Sequence, residues 1–191
     1  FIMKYLILFL ALLPAIGMGT YLLYGSGFVW FDDMVQWAEH AFSFYLPVSR
    51  NKLYFLSKFS ALSALWLLVI AFWVQPLRTY LRFDLVEFKK LLGGFAVGYG
   101  ALHLLFFIAA HHFKIADIGT LFVQHLFLSV GLGAMLILSI APQVKAWYKI
   151  LYIGVVLVII HLLLGYKTLD NTHILAISLL SLGLALRLVK R

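Results

Sequence analysis

Cysteine is absent from all 191 residues. Its absence excludes a disulfide framework, an iron–sulfur cluster held by thiolates and a cysteine nucleophile. Charge is scarce: Asp, Glu, Lys and Arg make up 12% of the chain, against about 25% in a soluble domain. Carboxylates number only 7, and no HExxH, CxxC or paired-carboxylate pattern occurs, so metalloprotease, zinc and glycosidase chemistry have no support. The space is filled by apolar residues, 64% of the total, with a mean hydropathy of +1.03. Such a chain would precipitate in water, which excludes a soluble enzyme or a nucleic-acid module. The net charge of +8 therefore reads as basic residues at helix ends beside an anionic leaflet. The 7 histidines equal the carboxylates in number, and the chemistry is to be sought among them.

A spanning helix needs about 20 mostly apolar residues. Six stretches qualify: roughly 5–24, 59–74 (stopped by Pro76), 91–110, 121–141 (stopped by Pro142), 150–164 and 174–186. The expected fold is all-α, a polytopic bundle of six transmembrane helices forming one domain over 1–191. The first stretch continues too far for an ordinary signal h-region and is expected to be a retained helix. The long aromatic connection from Gly25 to Ser57 is expected to hold a helix lying along the interface. With the N-terminus inside, the inner basic set is Lys4, Arg78, Arg82, Lys89, Lys90, Lys145, Lys149, Arg187, Lys190 and Arg191. The outer set is Arg50, Lys52, Lys58, Lys114 and Lys167. Ten against five predicts both termini in the cytoplasm, with the third and fifth stretches both running outward.

An ionisable side chain inside the bilayer is costly and points by default to a site. His103 lies 13 residues beyond Lys90, and His161 lies 12 beyond Lys149. At 1.5 Å per residue both imidazoles sit roughly 18–20 Å from the inner surface, in the outer half of the hydrocarbon. Two neutral imidazoles facing each other across a gap are what a low-spin haem iron takes as axial ligands. A porphyrin also needs uncrowded helix faces. Gly100, Ala96 and Gly93 precede His103 at helical steps, and Gly154 and Gly165 flank His161. The alternative is a histidine bonded to a helix carbonyl, with glycines that serve only packing. His125 is the rival ligand, although its surroundings lack the small-residue face. His40, His111, His112 and His173 are expected in or next to outer loops, in contact with solvent.

Several motifs in these helices are similar to those of a known family. Pro76-Leu77-Arg78, then Lys89-Lys90-Leu91-Leu92-Gly93, then Ala101-Leu102-His103 resemble the PLxR turn, RRxLG and xLH helix of the ferric reductase-like transmembrane superfamily. The similarity is to its MsrQ (YedZ) branch. Tyr152 stands nine residues before His161 as in that branch, and Phe127-Leu128-Ser129-Val130-Gly131 resembles its xTxG start. The resemblance covers roughly 74–166, and the first 60 residues match poorly. It implies a haem b (heme b) protein of the bacterial inner membrane that carries electrons across the bilayer. In that branch the recipient is MsrP, a periplasmic molybdopterin methionine sulfoxide reductase. His103 and His161 fall on the family's haem-ligand positions. The family's further histidine, 13 residues before the second ligand, is Tyr148 here, and Lys89 and Lys90 precede His103 at the comparable distance. One haem per chain is therefore expected, with FMN or a quinol as the occupant of the inner half, beside Trp147, Tyr148 and Arg78.

The resulting expectation is an electron-transfer subunit rather than a self-contained enzyme. Its donor would be a cytoplasmic flavoprotein or a quinol, since no Rossmann-like region follows the sixth stretch. Its acceptor would be an MsrP-like periplasmic reductase, with Lys114, Lys167 and Arg50 as the cations near the haem propionates. Its other contacts are membrane lipid, and nucleic acid is not expected. The competing reading is a transporter or structural membrane protein whose histidines relay protons or pack. The absence of Asp and Glu inside the six stretches weighs against a proton-coupled transporter.

Overall fold

The computed structural model describes residues 2–24, 40, 52–82, 85–144, 149–166 and 169–189. It is all-helical, with no strand among the described residues. Among the described residues seven α-helices follow one another: α1 (Ile2–Tyr24), α2 (Lys52–Pro76), α3 (Val86–Ala110), α4 (Ile115–Gln124), α5 (Leu126–Ile140), α6 (Ile150–Gly165) and α7 (Asn171–Val189). Five helical segments among the described residues are long and apolar enough to cross a membrane: Met3–Leu22, Lys52–Leu81, Glu87–Ala110, Leu126–Gln143 and Asn171–Val189. The sixth apolar stretch, α6, has 16 residues and rises about 24 Å, short of a hydrocarbon core about 30 Å thick.

Three expected boundaries differ from the structure. Proline 76 does not stop the second helix. The chain continues through a π-helical turn, Leu77–Leu81, and ends at Arg82, whose φ of 59° is left-handed. The helix also starts earlier than its apolar run, at Lys52. The stretch 121–141 is not continuous either: His125, at φ −117° and ψ 91°, is extended and separates α4 from α5. The interface helix expected within 25–57 lies almost wholly outside the described residues.

Helix α2 is the centre of the bundle because it is apolar all round, as a helix with neighbours on several sides must be. One face, with Leu67, Ala71 and Val74, packs with α1 and α3. The other, with Leu65, Val69 and Phe72, packs with α6 and α7. Two antiparallel hairpins dominate the architecture, α2 with α3 and α5 with α6, and α7 runs parallel to α2. Helices α3 and α6 have no close pairing of their own.

Both prolines that interrupt a helical ladder are served from another helix. Pro14 lies inside α1, where the ring opposes the bonding of the preceding turn. There the Tyr99 hydroxyl of α3 enters the ladder, donating to the Ala11 carbonyl at 2.7 Å and accepting from Ala15 N–H at 3.0 Å. Pro76 has no N–H to give to the carbonyl of Phe72, and the Arg187 guanidinium of α7 donates to that carbonyl instead. Arg187 reaches it because Gly183, one turn earlier, brings α7 close. A Cβ at Gly183 would stand 3.0 Å from the Phe72 ring.

Candidate functional site

His103 and His161 belong to different hairpins and lie toward the same end of the bundle. His103 is seven residues before the end of α3, and His161 is four before the end of α6. Each is half-buried, and the two are close enough to interact electrostatically. With α3 and α6 not paired closely, the hairpins present one imidazole each from helices that stand apart.

Both rings are held in the same way. His103 Nδ1–H donates to the Ser57 carbonyl at 2.8 Å and lies 2.9 Å from Ser57 Oγ. The Ser57 hydroxyl donates in turn to the His103 carbonyl, at 3.3 Å. His161 Nδ1–H donates to the Phe127 carbonyl at 2.7 Å. A ring nitrogen that donates to a carbonyl carries the proton, so the other nitrogen keeps its lone pair. Among the described residues neither Nε2 has a hydrogen-bond partner. Nor is either sealed off, since the one fully buried side-chain nitrogen left unpartnered there is Arg187 Nε. A metal-ligating histidine is held in this way, its Nδ1–H given to a carbonyl so that Nε2 is free to ligate.

Two nitrogen donors do not by themselves enclose an ion, and no cluster of three or more His, Cys, Asp or Glu side chains occurs among the described residues. A group that brings its own equatorial donors needs only the two axial positions, and a porphyrin is such a group. The donor set therefore fits a bis-histidine haem.

The small residues divide by role. Gly131, on α5, is the one that His161 requires: a Cβ there would meet its Nδ1 at 2.6 Å and its Cε1 at 2.7 Å. Gly100 faces Met135 of α5, 3.8 Å from where its Cβ would lie. Gly154 is buried in the α5–α6 seam, where a Cβ would come within 3.0 Å of Ile137 and Leu138. Ala96 is buried in the core shared with α1 and α2. Gly93 has open space where a Cβ would be. Thus the structure puts Gly154 and Ala96 into packing seams rather than on an open face. A cleft of about 500 Å³ lies elsewhere, between α1 and α3, where Ala15, Lys90, Gly94, Gly98 and Leu102 line it and His103 does not.

The other histidines separate clearly. His125 is exposed at the break between α4 and α5. His112 is exposed in the turn that ends α3, with φ 55°. His173, expected in contact with solvent, is buried: its Nδ1 bonds Asp170 Oδ1, and its ring lies 4.1 Å from that of Tyr166. The Asp170 carboxylate also accepts the His173 backbone N–H at 2.8 Å, capping α7. Of the cations expected near the site, Lys114 is exposed at the start of α4, and Arg50 and Lys167 lie outside the described residues, as do Trp147 and Tyr148.

Sequence reasoning missed Ser57, Gly131 and Lys58. Lys58 follows the residue that holds His103, and it interacts electrostatically with both His103 and His161. Its position just before an apolar run, at 59, was the available signal. Comparison with known proteins adds no relative: no family model matches the chain, and no curated protein or solved structure is significantly similar to it.

Proposed function

We propose that this chain is a haem b-containing electron-transfer subunit of a bacterial inner membrane, passing electrons to a periplasmic acceptor. The observation that carries the proposal is the matched support of His103 and His161: each Nδ1 donates to a carbonyl of the neighbouring helix, and each Nε2 is left open. A packing histidine bonded to a carbonyl would show the same Nδ1 contact; what supports the haem reading is that both rings, on helices of different hairpins, also leave Nε2 open. A haem held between the two supplies a one-electron iron couple. In this proposal α6 crosses the bilayer with the other five apolar segments, making six spans. The excess of basic residues on one side puts both termini in the cytoplasm.

A periplasmic reductase of the MsrP kind is the proposed acceptor, and a quinol or cytoplasmic flavoprotein the proposed donor. The resemblance of the stretch 74–166 to the MsrQ branch supports both. One haem per chain is proposed because Lys89, Lys90 and Tyr148 occupy the positions a second, inner pair would need. The test is the visible spectrum of the full chain purified from a haem-replete membrane, with a pyridine haemochrome assay. A low-spin b spectrum at one haem per chain is expected. A protein that is colourless and takes up no haemin would leave the transporter or structural reading.

A further inference from the structure

We infer that Lys58 is the cation that receives a propionate carboxylate of the porphyrin held by His103 and His161, an inference that rests on the haem proposal above. The place of Lys58 in the fold carries it. Lys58 stands on the second turn of α2, immediately after Ser57, whose carbonyl fixes His103. Its ammonium lies 4.8 Å from the centroid of the Tyr166 ring, at the end of α6 and five residues past His161. On the other side it lies 5.4 Å from the Tyr54 ring on its own helix. One charge thus bridges the hairpin that bears His103 and the helix that bears His161.

Among the described residues no carboxylate pairs with this lysine. The carboxylate nearest its aromatic wall among the described contacts, that of Asp170, is engaged with His173. A cation held by two ring faces, with no anion beside it among the described residues, is oriented but not neutralised there. Its lateral freedom is low, so a ligand carboxylate forms a charge-assisted bond there without first ordering a long side chain.

The experiment titrates the apo full chain, in detergent, with haemin and with haemin dimethyl ester, whose carboxylates are blocked. The wild type should prefer haemin by about tenfold, the worth of one charged hydrogen bond. Lys58→Gln should bind both porphyrins alike with the bis-histidine spectrum intact, and the reduction potential of its haem should fall, because a positive charge near the ferrous state has gone. Lys58→Arg should restore the preference, and Lys114→Gln should leave it unchanged. A preference for haemin that survives in Lys58→Gln, or vanishes in Lys114→Gln, overturns the assignment while leaving the haem proposal standing. Failure of the wild type to bind either porphyrin overturns both.

Discussion

An imidazole whose Nδ1–H is committed to a carbonyl has one useful group left, the Nε2 lone pair. His103 and His161 share this state, and the groups that impose it are the Ser57 and Phe127 carbonyls. Gly131 is the residue through which this can be probed without touching a ligand. Gly131→Ala would place a methyl 2.6 Å from His161 Nδ1, so the ring must leave the Phe127 carbonyl. The expected result is a haem affinity lower by about 10–100-fold, the usual cost of losing the group that orients a ligating histidine, with high-spin character in the spectrum. Gly133→Ala, on the same helix with nothing within 4 Å of its added methyl, should titrate like the wild type. Equal behaviour of the two variants would show that the α5 contact does not hold His161. His103 and His161 were legible in the sequence because a histidine deep in an apolar run is rare. Their carbonyl partners were not, since every residue carries a carbonyl and only tertiary packing selects which one is used.

Helix ends and seams follow the same division. The apolar runs gave α3, α6 and α7 to within a few residues, because a span must satisfy its own backbone groups and stay apolar throughout. Pro76 misled for a tertiary reason. Its missing N–H orphans the Phe72 carbonyl, but Arg187, more than a hundred residues away in sequence, takes that carbonyl and stacks 3.9 Å from the centroid of the same Phe72 ring. Arg187→Ala should therefore destabilise the protein by about 1–3 kcal/mol, the cost of an unsatisfied buried group, measured by thermal unfolding in detergent. Replacing Pro76 by Ala restores an N–H to the carbonyl, so in that background the Arg187→Ala loss should shrink. An Arg187→Ala loss that is undiminished in the Pro76→Ala background would assign the energy to ring stacking alone. The break at His125 had no proline or glycine to announce it. It separates α4, which packs on the start of α5, from the hairpin that holds His161.

At the scale of the whole molecule, two hairpins joined through α2 leave α3 and α6 apart, each with its histidine near the end that carries Lys58, Tyr166 and His173. With the basic excess at the other end, that histidine-bearing end is the proposed periplasmic one. Oxidation of dithionite-reduced haem in oriented vesicles by a membrane-impermeant acceptor should be fast from the side of Tyr166. It should be slow from the side of Lys89 and Lys149, where roughly 20 Å of protein intervenes. Fast oxidation only from the Lys89 side would reverse the direction. The all-helical class was legible at this scale from hydropathy. The count of six spans was not matched, because five described segments are long enough to cross, α6 has 16 residues and the stretch 121–141 breaks at His125. Which hairpins face each other depended on packing no local pattern encodes. The most direct measurement is the low-temperature electron paramagnetic resonance spectrum of the ferric protein in three variants. His103→Ala and His161→Ala should each lose the low-spin signal and His125→Ala should keep it. A low-spin signal retained in either of the first two, or lost in His125→Ala alone, would contradict ligation by His103 and His161.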